Sequence, residues 1–303
     1  MIVLEQVLNG IQFGLTLFLM SAGLTLIFGI MGVINLAHGS LYMIGAYAAA
    51  LTAAKTSSVW LSILGGLAAA AAGGVLIELA VVRRLYGRNH LDQVLATFAL
   101  VLIINQSSNM LFGRQPLFVE IPPVLSGSVT LLPGLAYPVY RLLVIVVGLV
   151  VAAGLFAMIH WTRVGMLVRA GATHRQMVRA LGVDVSLLYT AVFGLGALLA
   201  GLAGVIAGPI SSVQVGMGEQ ILIVAFVVVV IGGLGSVRGA FFGAIAAGLV
   251  DTLSRAFLPT LFRQVMDGSN ADALASGMSA ISIYLLMALV LLVRPQGLLA
   301  GKS

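Results

Sequence analysis

The chain has 303 residues, of which 61% are hydrophobic and 8% are charged, whereas an average soluble domain has about 25% charged residues. A water-soluble protein of this composition cannot cover its surface with polar groups, so a soluble domain is excluded. The formal net charge is +6, but the basic residues stand in short gaps between apolar runs, and nucleic acid is therefore not a predicted partner. The absence of cysteine excludes disulfides and thiolate metal sites.

Apolar runs of membrane-spanning length follow one another along the chain. A helix needs about 20 apolar residues to cross the hydrocarbon core of a bilayer. Spans are predicted at residues 9–30, 39–54, 60–82, 93–112, 139–159, 187–208, 220–236, 240–258 and 277–293. The second run is short, and glycines interrupt the region 220–258, so both are candidates for discontinuous helices. The predicted fold class is all-α, a polytopic integral membrane protein of eight or nine transmembrane helices that forms one domain over residues 1–303.

Basic residues in the connecting loops predict how these helices are oriented, because short cytoplasmic loops collect Lys and Arg. One loop carries three arginines between residues 83 and 88, and another carries four between residues 160 and 186. Two predicted spans separate the loops, so both can lie in the cytoplasm. The segment that follows the last span is then also predicted inside, and the loop 113–138 outside.

The loop 160–186 is far longer than a turn requires. Within it, Met177, Ala180 and Leu181 recur at i, i+3 and i+4, the pattern of a short amphipathic helix, and Gly182 can end that helix in a left-handed conformation. The pattern predicts a helix on the cytoplasmic surface that can dock a partner. A solvated basic loop that serves only to orient the protein is the alternative.

The sequence offers no energy source for transport. The segment Gly297–Ser303 has three residues between its glycines where a P-loop needs four, so no nucleotide-binding site and no enzymatic activity are predicted. Acids within the spans are few: Glu78 lies near Arg83, where snorkelling toward the membrane face explains it, and Asp251 is four residues before Arg255, the spacing of a helical ion pair. Structural roles are predicted for both acids, which disfavours a carrier driven by its own proton relay.

Two polar clusters are candidates for lining a path through the membrane. The first occupies an arc of about 120° on one helix and must face protein or water; it comprises Thr97, Asn105, Ser108 and Asn109. The second lies between two apolar runs beside glycines, as in a broken helix next to a cavity; it comprises Asn35, His38, Ser40 and Tyr42. Hydrogen bonding between helices is the alternative for both clusters. The spacing of the histidines predicts no metal site.

Glycine spacing makes two further predictions. Close packing of helices within the chain is predicted at three GxxxG pairs: Gly10 and Gly14, Gly204 and Gly208, and Gly239 and Gly243. The glycine pattern of residues 32–45 also resembles that of residues 233–243. An internal duplication and a chance alignment are the two explanations.

Four blocks of sequence resemble one family of transport proteins. They are Gly23–Tyr47, Arg175–Asp184, Gly232–Gly243 and Val293–Leu298. The second block resembles the coupling loop of ABC importer permeases, in which a short helix and a glycine insert into a cleft of the ATPase. The other three resemble, in the same order, blocks of the permeases of branched-chain amino acid importers.

The resemblance implies a permease subunit of an ATP-binding-cassette importer that forms the path for branched-chain or other hydrophobic amino acids across the bacterial plasma (inner) membrane. Relatives of the same layout that import urea or short amides are the alternative, and a self-sufficient secondary carrier or channel is a further one. No cofactor is expected on this chain, because ATP is used by two cytoplasmic ABC ATPase subunits. A second homologous permease and an extracytoplasmic substrate-binding protein are the other implied partners. The implied ATPase-coupling residues are Arg169, Arg175, Gln176, Met177, Arg179, Ala180, Leu181, Gly182 and Val183.

Overall fold

The computed structural model describes residues 1–173, 175–180 and 182–299. This part of the chain is almost entirely helical. The helices are α1 (Ile2–Met31), α2 (His38–Thr56), α3 (Val59–Ala80), α4 (His90–Phe112), α5 (Val139–Trp161), α6 (Arg163–Thr173), α7 (Arg175–Ala180), α8 (Val185–Ala207), α9 (Met217–Gly232), α10 (Val237–Phe262) and α11 (Gly268–Val293). Two short strands, β1 (Ser128–Leu132) and β2 (Leu135–Pro138), form an antiparallel hairpin between α4 and α5.

Nine of the helices coincide with the nine predicted spans. Seven of them are long and apolar enough to cross a membrane: α1, α3, α4, α5, α8, α10 and α11. The other two, α2 and α9, have 19 and 16 residues and are the two regions that the sequence marks as short or interrupted. The prediction of an all-α polytopic membrane protein is therefore confirmed.

Helix α1 is the centre of the bundle. In its most apolar stretch 83% of the residues are buried, and it packs against α5, α8, α9 and α10. Close approach depends on glycine: a Cβ added at Gly14 would lie 2.8 Å from the carbonyl oxygen of Ala244 on α10. In the other two pairs, Gly204 lies against α2, and Gly239 and Gly243 lie against α9, whereas Gly208 lies beside the Val213 side chain in the segment that follows α8. The prediction of close helix packing within the chain is confirmed at these glycines, with the exception of Gly208.

The connecting segments gather at two opposite ends of the bundle. At the end that we call the basic end, Gly29 near the end of α1 lies against Gly235 in the loop between α9 and α10, and Gly171 of α6 lies beside Leu188 of α8. Exposed arginines at this end are Arg84, Arg88, Arg163, Arg169, Arg179, Arg238 and Arg294. At the other end, the hairpin end, the Tyr137 hydroxyl donates to Asn9 Oδ1 at 3.1 Å and so joins the hairpin to the start of α1. The arginine-rich loops thus share one end, as predicted.

Neither α2 nor α9 crosses the bundle alone. After α1 ends at the basic end, residues 32–37 turn back without regular helix, and α2 begins beside the middle of α1, where His38 Nε2 lies 3.3 Å from the Met20 carbonyl oxygen. The start of α9 lies against the same place, because Gly218 contacts the backbone of Gly39. From this contact α2 runs toward the hairpin end and α9 toward the basic end. We call the contact, residues 35–40 and 216–220, the half-helix junction.

The helices around the junction form an inverted repeat. Helices α1 to α4 run in directions opposite to those of α8 to α11, taken in order. Their packing corresponds as well. The equivalent helices α1 and α8 pack against each other, and so do α2 and α9. Helix α3 packs against α2 and α8, and its equivalent, α10, packs in the same way against α9 and α1. Inverted repeats are common in transporters, which bind substrate at the repeat interface. The glycine pattern suggested the wrong pairing, since the segment 233–243 starts α10, whereas the counterpart of α2 is α9.

The residues that follow α11 cap the end of α9. The N–H of Leu298 donates to the Ile231 carbonyl at 2.8 Å, and the N–H of Leu299 donates to the Gly232 carbonyl at 3.1 Å. These bonds satisfy carbonyl groups that the end of a helix leaves free. Gly297, with φ of 85°, lies so close to Gly233 that an added Cβ would be 2.5 Å from its nitrogen.

Replacing Gly297 by alanine is expected to destabilise the protein by about 2 kcal/mol or more, because the side chain meets backbone and the left-handed φ becomes strained. Thermal unfolding of the detergent-solubilised protein measures the change. Gly277→Ala in α11 is the control, since nothing lies within 4 Å of its added Cβ. Equal unfolding temperatures for the two variants would contradict the capping role.

Candidate translocation site

The polar stripe of α4 faces the rest of the chain. Thr97 and Ser108 are buried, and Asn105 and Asn109 are half-buried, whereas Ile103, between them in sequence, is 61% exposed. The prediction that the stripe faces protein or water rather than lipid is confirmed.

Two side chains of α4 hold the non-helical segment between α1 and α2. Gln93 Oε1 accepts a hydrogen bond from the N–H of Ile34 at 3.2 Å, and Thr97 Oγ1 accepts one from the N–H of Leu36 at 3.2 Å. Backbone groups outside helices need such partners within a membrane. Gln93 was missed in the sequence, although it lies one helical turn before Thr97 on the same face.

Two polar side chains at the junction are fully buried: Asn35, three residues before α2, and His38, the first residue of α2. Asn35 Oδ1 accepts from the N–H of Ala37 at 3.0 Å. Because the Met20 carbonyl can only accept, the His38 Nε2 that faces it carries a proton. Within the described part of the chain, Asn35 Nδ2 and His38 Nδ1 have no hydrogen-bond partner. Unpaired buried polar atoms are rare in folded proteins, and these two lie at the junction.

The start of α9 carries an acid, Glu219, that the sequence interpretation missed. It directly follows Gly218, and its carboxylate accepts a hydrogen bond from Asn105 Nδ2. The predicted span began at residue 220 and so left Glu219 outside the membrane, but the contact between Gly218 and Gly39 lies well inside the bundle. Among the ion pairs of the described residues, none includes Glu219. An ionisable group at this depth marks a candidate functional site.

The structure brings five of the predicted path residues to the half-helix junction, where α4 covers the starts of α2 and α9; these are Asn35, His38, Ser40, Thr97 and Asn105. The other three lie elsewhere. Tyr42 is one turn farther along α2, with its carbonyl against Gly204 of α8. Ser108 and Asn109 lie near the end of α4, closer to the hairpin end. Their part in a path stays a prediction.

The predicted coupling loop forms two helices, α6 and α7, where one was expected. Gly182, with φ of 81°, donates its N–H to the Arg179 carbonyl at 3.1 Å, and Val183 donates to the Val178 carbonyl at 3.3 Å. This pair of bonds is the Schellman arrangement that ends a helix at a left-handed residue. The predicted role of Gly182 as helix terminator is confirmed.

The apolar face predicted for α7 points away from the bundle. Met177 is 62% exposed and Ala180 is also exposed, whereas Val178 is 4% exposed and packs inward. Val178 therefore anchors the helix, which leaves Met177 and Ala180 on its outer surface with Arg179. Leu181 lies outside the described residues, as do the side chains of Arg175 and Gln176.

A buried carboxylate joins α3 to α8 at the basic end. Glu78 is 0% exposed and pairs with Arg83 at 3.1 Å; it also accepts from the Tyr86 hydroxyl at 2.5 Å and from Thr190 Oγ1 at 2.9 Å. Burial and the hydrogen bond to Glu78 raise the pKa of Tyr86, so the phenol stays protonated as a donor. Glu78 thus has the predicted structural role, but it is buried among three polar partners and does not snorkel toward the membrane face as predicted. The predicted ion pair of Asp251 with Arg255 is confirmed at 2.9 Å.

Comparison with known proteins gives consistent matches. A family model described as branched-chain amino acid transport system / permease component matches residues 6–293. The chain is 30% identical over 310 residues to the high-affinity branched-chain amino acid transport system permease protein BraD of Pseudomonas aeruginosa, with 98% of this chain and 95% of BraD covered. It is 28% identical over 318 residues to LivH of Escherichia coli K12, which carries the same description, with the same coverage.

A more distant relative is the probable branched-chain amino acid transport permease protein LivH of Methanocaldococcus jannaschii, which is 27% identical over 271 residues, with 85% of this chain and 83% of the relative covered. No solved structure matches the chain. These relatives are named as transport permeases, and the helices described above are those of a multi-pass membrane protein. The chain therefore belongs to the family of permease components of branched-chain amino acid transport systems.

Proposed function

We propose that this chain forms the membrane path of an importer for branched-chain amino acids in the plasma membrane. Two cytoplasmic ABC ATPase subunits drive it, a second homologous permease completes the path, and an external binding protein delivers the substrate. The observation that carries the proposal is the match over nearly the whole chain to proteins named high-affinity branched-chain amino acid transport system permeases.

The half-helix junction is the proposed constriction of the path. The backbones of Gly39 and Gly218 touch there, which closes the route through the chain in this conformation. Helix α4 covers the junction mainly through side-chain hydrogen bonds, in which Gln93 and Thr97 accept and Asn105 donates. Such bonds can exchange with water when the route opens.

Helix α8 is the proposed link between the ATPases and the junction. It begins directly after α7, where Asp184 caps it by accepting from the N–H of Ser186 at 2.9 Å. Farther along, α8 lies against α2 backbone to backbone, since an added Cβ at Gly45 would be 2.6 Å from the Gly201 Cα. A push on α7 then moves α8 and α2 together, away from α9.

Replacing Gly182 by alanine is expected to lower ATPase co-purification and leucine uptake about 5-fold or more, because a left-handed alanine costs about 1–2 kcal/mol and tilts α7. Arg179→Ala should also weaken co-purification. The control is Gly87→Ala, another open glycine at the basic end, which lacks a left-handed φ. The ATPase recovered with a tagged chain measures the effect, and undiminished recovery for both Gly182→Ala and Arg179→Ala would contradict coupling through α7.

A self-sufficient carrier is the second candidate, favoured by Glu219 as an acid within the membrane. The purified chain alone in liposomes, with a proton gradient and no ATP, distinguishes the two. The importer proposal expects no uptake of radiolabelled leucine, and uptake that is lost in Glu219→Gln would favour the carrier.

Competition in whole cells separates the substrate classes, since excess urea or acetamide should leave leucine uptake unchanged.

A further inference from the structure

We propose that the half-helix junction binds the two charged groups of the amino acid itself. The starts of α2 and α9, with Asn35 Nδ2, hold the carboxylate, and the Glu219 carboxylate holds the ammonium. This inference rests on the proposed function, and it adds where and by which chemistry the substrate is recognised inside the membrane.

The first support is the head-to-head arrangement of two helix starts. Each helix start carries a partial positive charge and free N–H groups, which favour an anion. Within the described part of the chain, the N–H groups of Gly39 and Gly218 donate no hydrogen bond. Helix α2 has no acid in its first turn to compensate this charge. Helix α9 carries Glu219 in its first turn, so the positive end that a carboxylate would stabilise is the start of α2.

The second support is the unused donor of Asn35. Its Oδ1 is bound to the N–H of Ala37, so Nδ2 of the same planar amide also lies at the start of α2. The side chain is fully buried, and Nδ2 has no partner among the described residues. A buried amide donor is costly to leave unpaired, and a carboxylate oxygen supplies the missing acceptor.

The third support is the position of Glu219. Its carboxylate is bonded by the neutral amide of Asn105 and by no cation among the described residues. It follows Gly218 by one residue, so the acid and the free N–H of Gly218 share one turn of α9, and the free N–H of Gly39 lies against that turn. An α-amino acid carries its ammonium and carboxylate on the same carbon, which needs such adjacent sites of opposite charge. Urea and short amides carry neither charge and gain nothing from this pair.

The contact between Gly39 and Gly218 fills the junction in this conformation. The amino acid therefore enters only when α2 and α9 separate, and binding is expected during turnover rather than in the resting protein.

Photo-crosslinking of the complete transporter in its native membranes tests the site directly. The probe is photo-leucine, a diazirine analogue of leucine that keeps both charged groups, applied with ATP present. Labelled peptides are expected from the starts of α2 and α9 and from the facing part of α4. Excess L-leucine should prevent this labelling, whereas 4-methylpentanoate and 3-methylbutylamine, which each lack one charged group, should not. Labelling of this chain only elsewhere, or equal protection by all three compounds, would overturn the inference.

Uptake by variants separates this inference from the proposed function. Glu219→Gln and Asn35→Ala are each expected to lower leucine uptake about 10-fold to 100-fold, the range for hydrogen bonds to charged groups. Glu120→Gln, in the exposed loop after α4, is the control and should match the wild type. Wild-type protein that takes up no leucine would refute the proposed function. Uptake that survives in both variants would refute the binding site but not the proposed function. If a variant does not reach the membrane, the photo-labelling of the wild-type protein decides whether the binding site exists.

Discussion

Gly39→Ala and Gly218→Ala are each expected to lower leucine uptake about 10-fold or more and to destabilise the protein by about 1–3 kcal/mol or more. At both positions an added Cβ overlaps the backbone of the other helix, so no side-chain rearrangement can relieve the clash. The two half-length helices must then separate and cannot close the route. Uptake in whole cells and thermal unfolding in detergent measure the two effects.

Gly73→Ala provides the matched control. Gly73 lies in the spanning helix α3, and an added Cβ would meet only the Ile44 and Leu41 side chains, at 3.6 and 3.8 Å. These are ordinary packing distances, so uptake and stability should stay near the wild-type values. A wild-type uptake rate in both junction variants would show that the close contact of α2 and α9 is unnecessary for transport.

Arg83→Ala is expected to lower the unfolding temperature by roughly 5 °C or more, because it leaves the Glu78 carboxylate buried without a counter-charge. The double variant Glu78→Gln with Arg83→Met should recover most of the loss. A neutral glutamine can still bond Tyr86 and Thr190, which keeps α3 joined to α8. Thermal unfolding of Arg83→Ala and of the double variant, each compared with the wild type, measures the loss and its recovery.

The exposed ion pair of Arg263 with Asp272, at 2.8 Å, is the control for the buried pair. Both side chains are largely exposed, and solvent-exposed pairs contribute little to stability. Arg263→Ala should therefore leave the unfolding temperature almost unchanged. A loss as large as that of Arg83→Ala would mean that burial of Glu78 does not set the size of the effect.

The sequence predicts the helices and their loops well because hydropathy and local turn chemistry determine them. Nine helices lie where apolar runs predict them, and Gly182 ends α7 as its position after the short helix suggests. The i, i+4 spacing of Asp251 and Arg255 likewise predicts their ion pair. Each of these features depends on residues close together in the chain.

The half-helix junction could not be predicted in the same way, because its contacts join distant segments. Hydropathy marks α2 and α9 as short but does not reveal that their starts meet. The predicted span left Glu219 outside the membrane because the apolar run begins after it. The position of Glu219 within the membrane depends instead on the contact of Gly218 with Gly39. The sequence did not identify Val178 as the residue that anchors α7. Met177 and Ala180 also have helical spacing, so the sequence offers two regular faces, and only the packing of α7 on the bundle shows which face is buried.

Cysteine accessibility tests the proposed path most directly, because the natural chain contains no cysteine and single replacements have no background. Asn105→Cys faces the junction, whereas Ile103→Cys, two residues away on α4, faces outward. The complete transporter in membranes is treated with a membrane-impermeant thiol reagent, with and without ATP, and Glu120→Cys in the exposed loop confirms that the reagent is active. A path at the junction predicts that Asn105→Cys reacts faster during ATP turnover and is protected by L-leucine, while Ile103→Cys stays unreactive. An Asn105→Cys that reacts under neither condition, while Glu120→Cys is modified, would contradict the path.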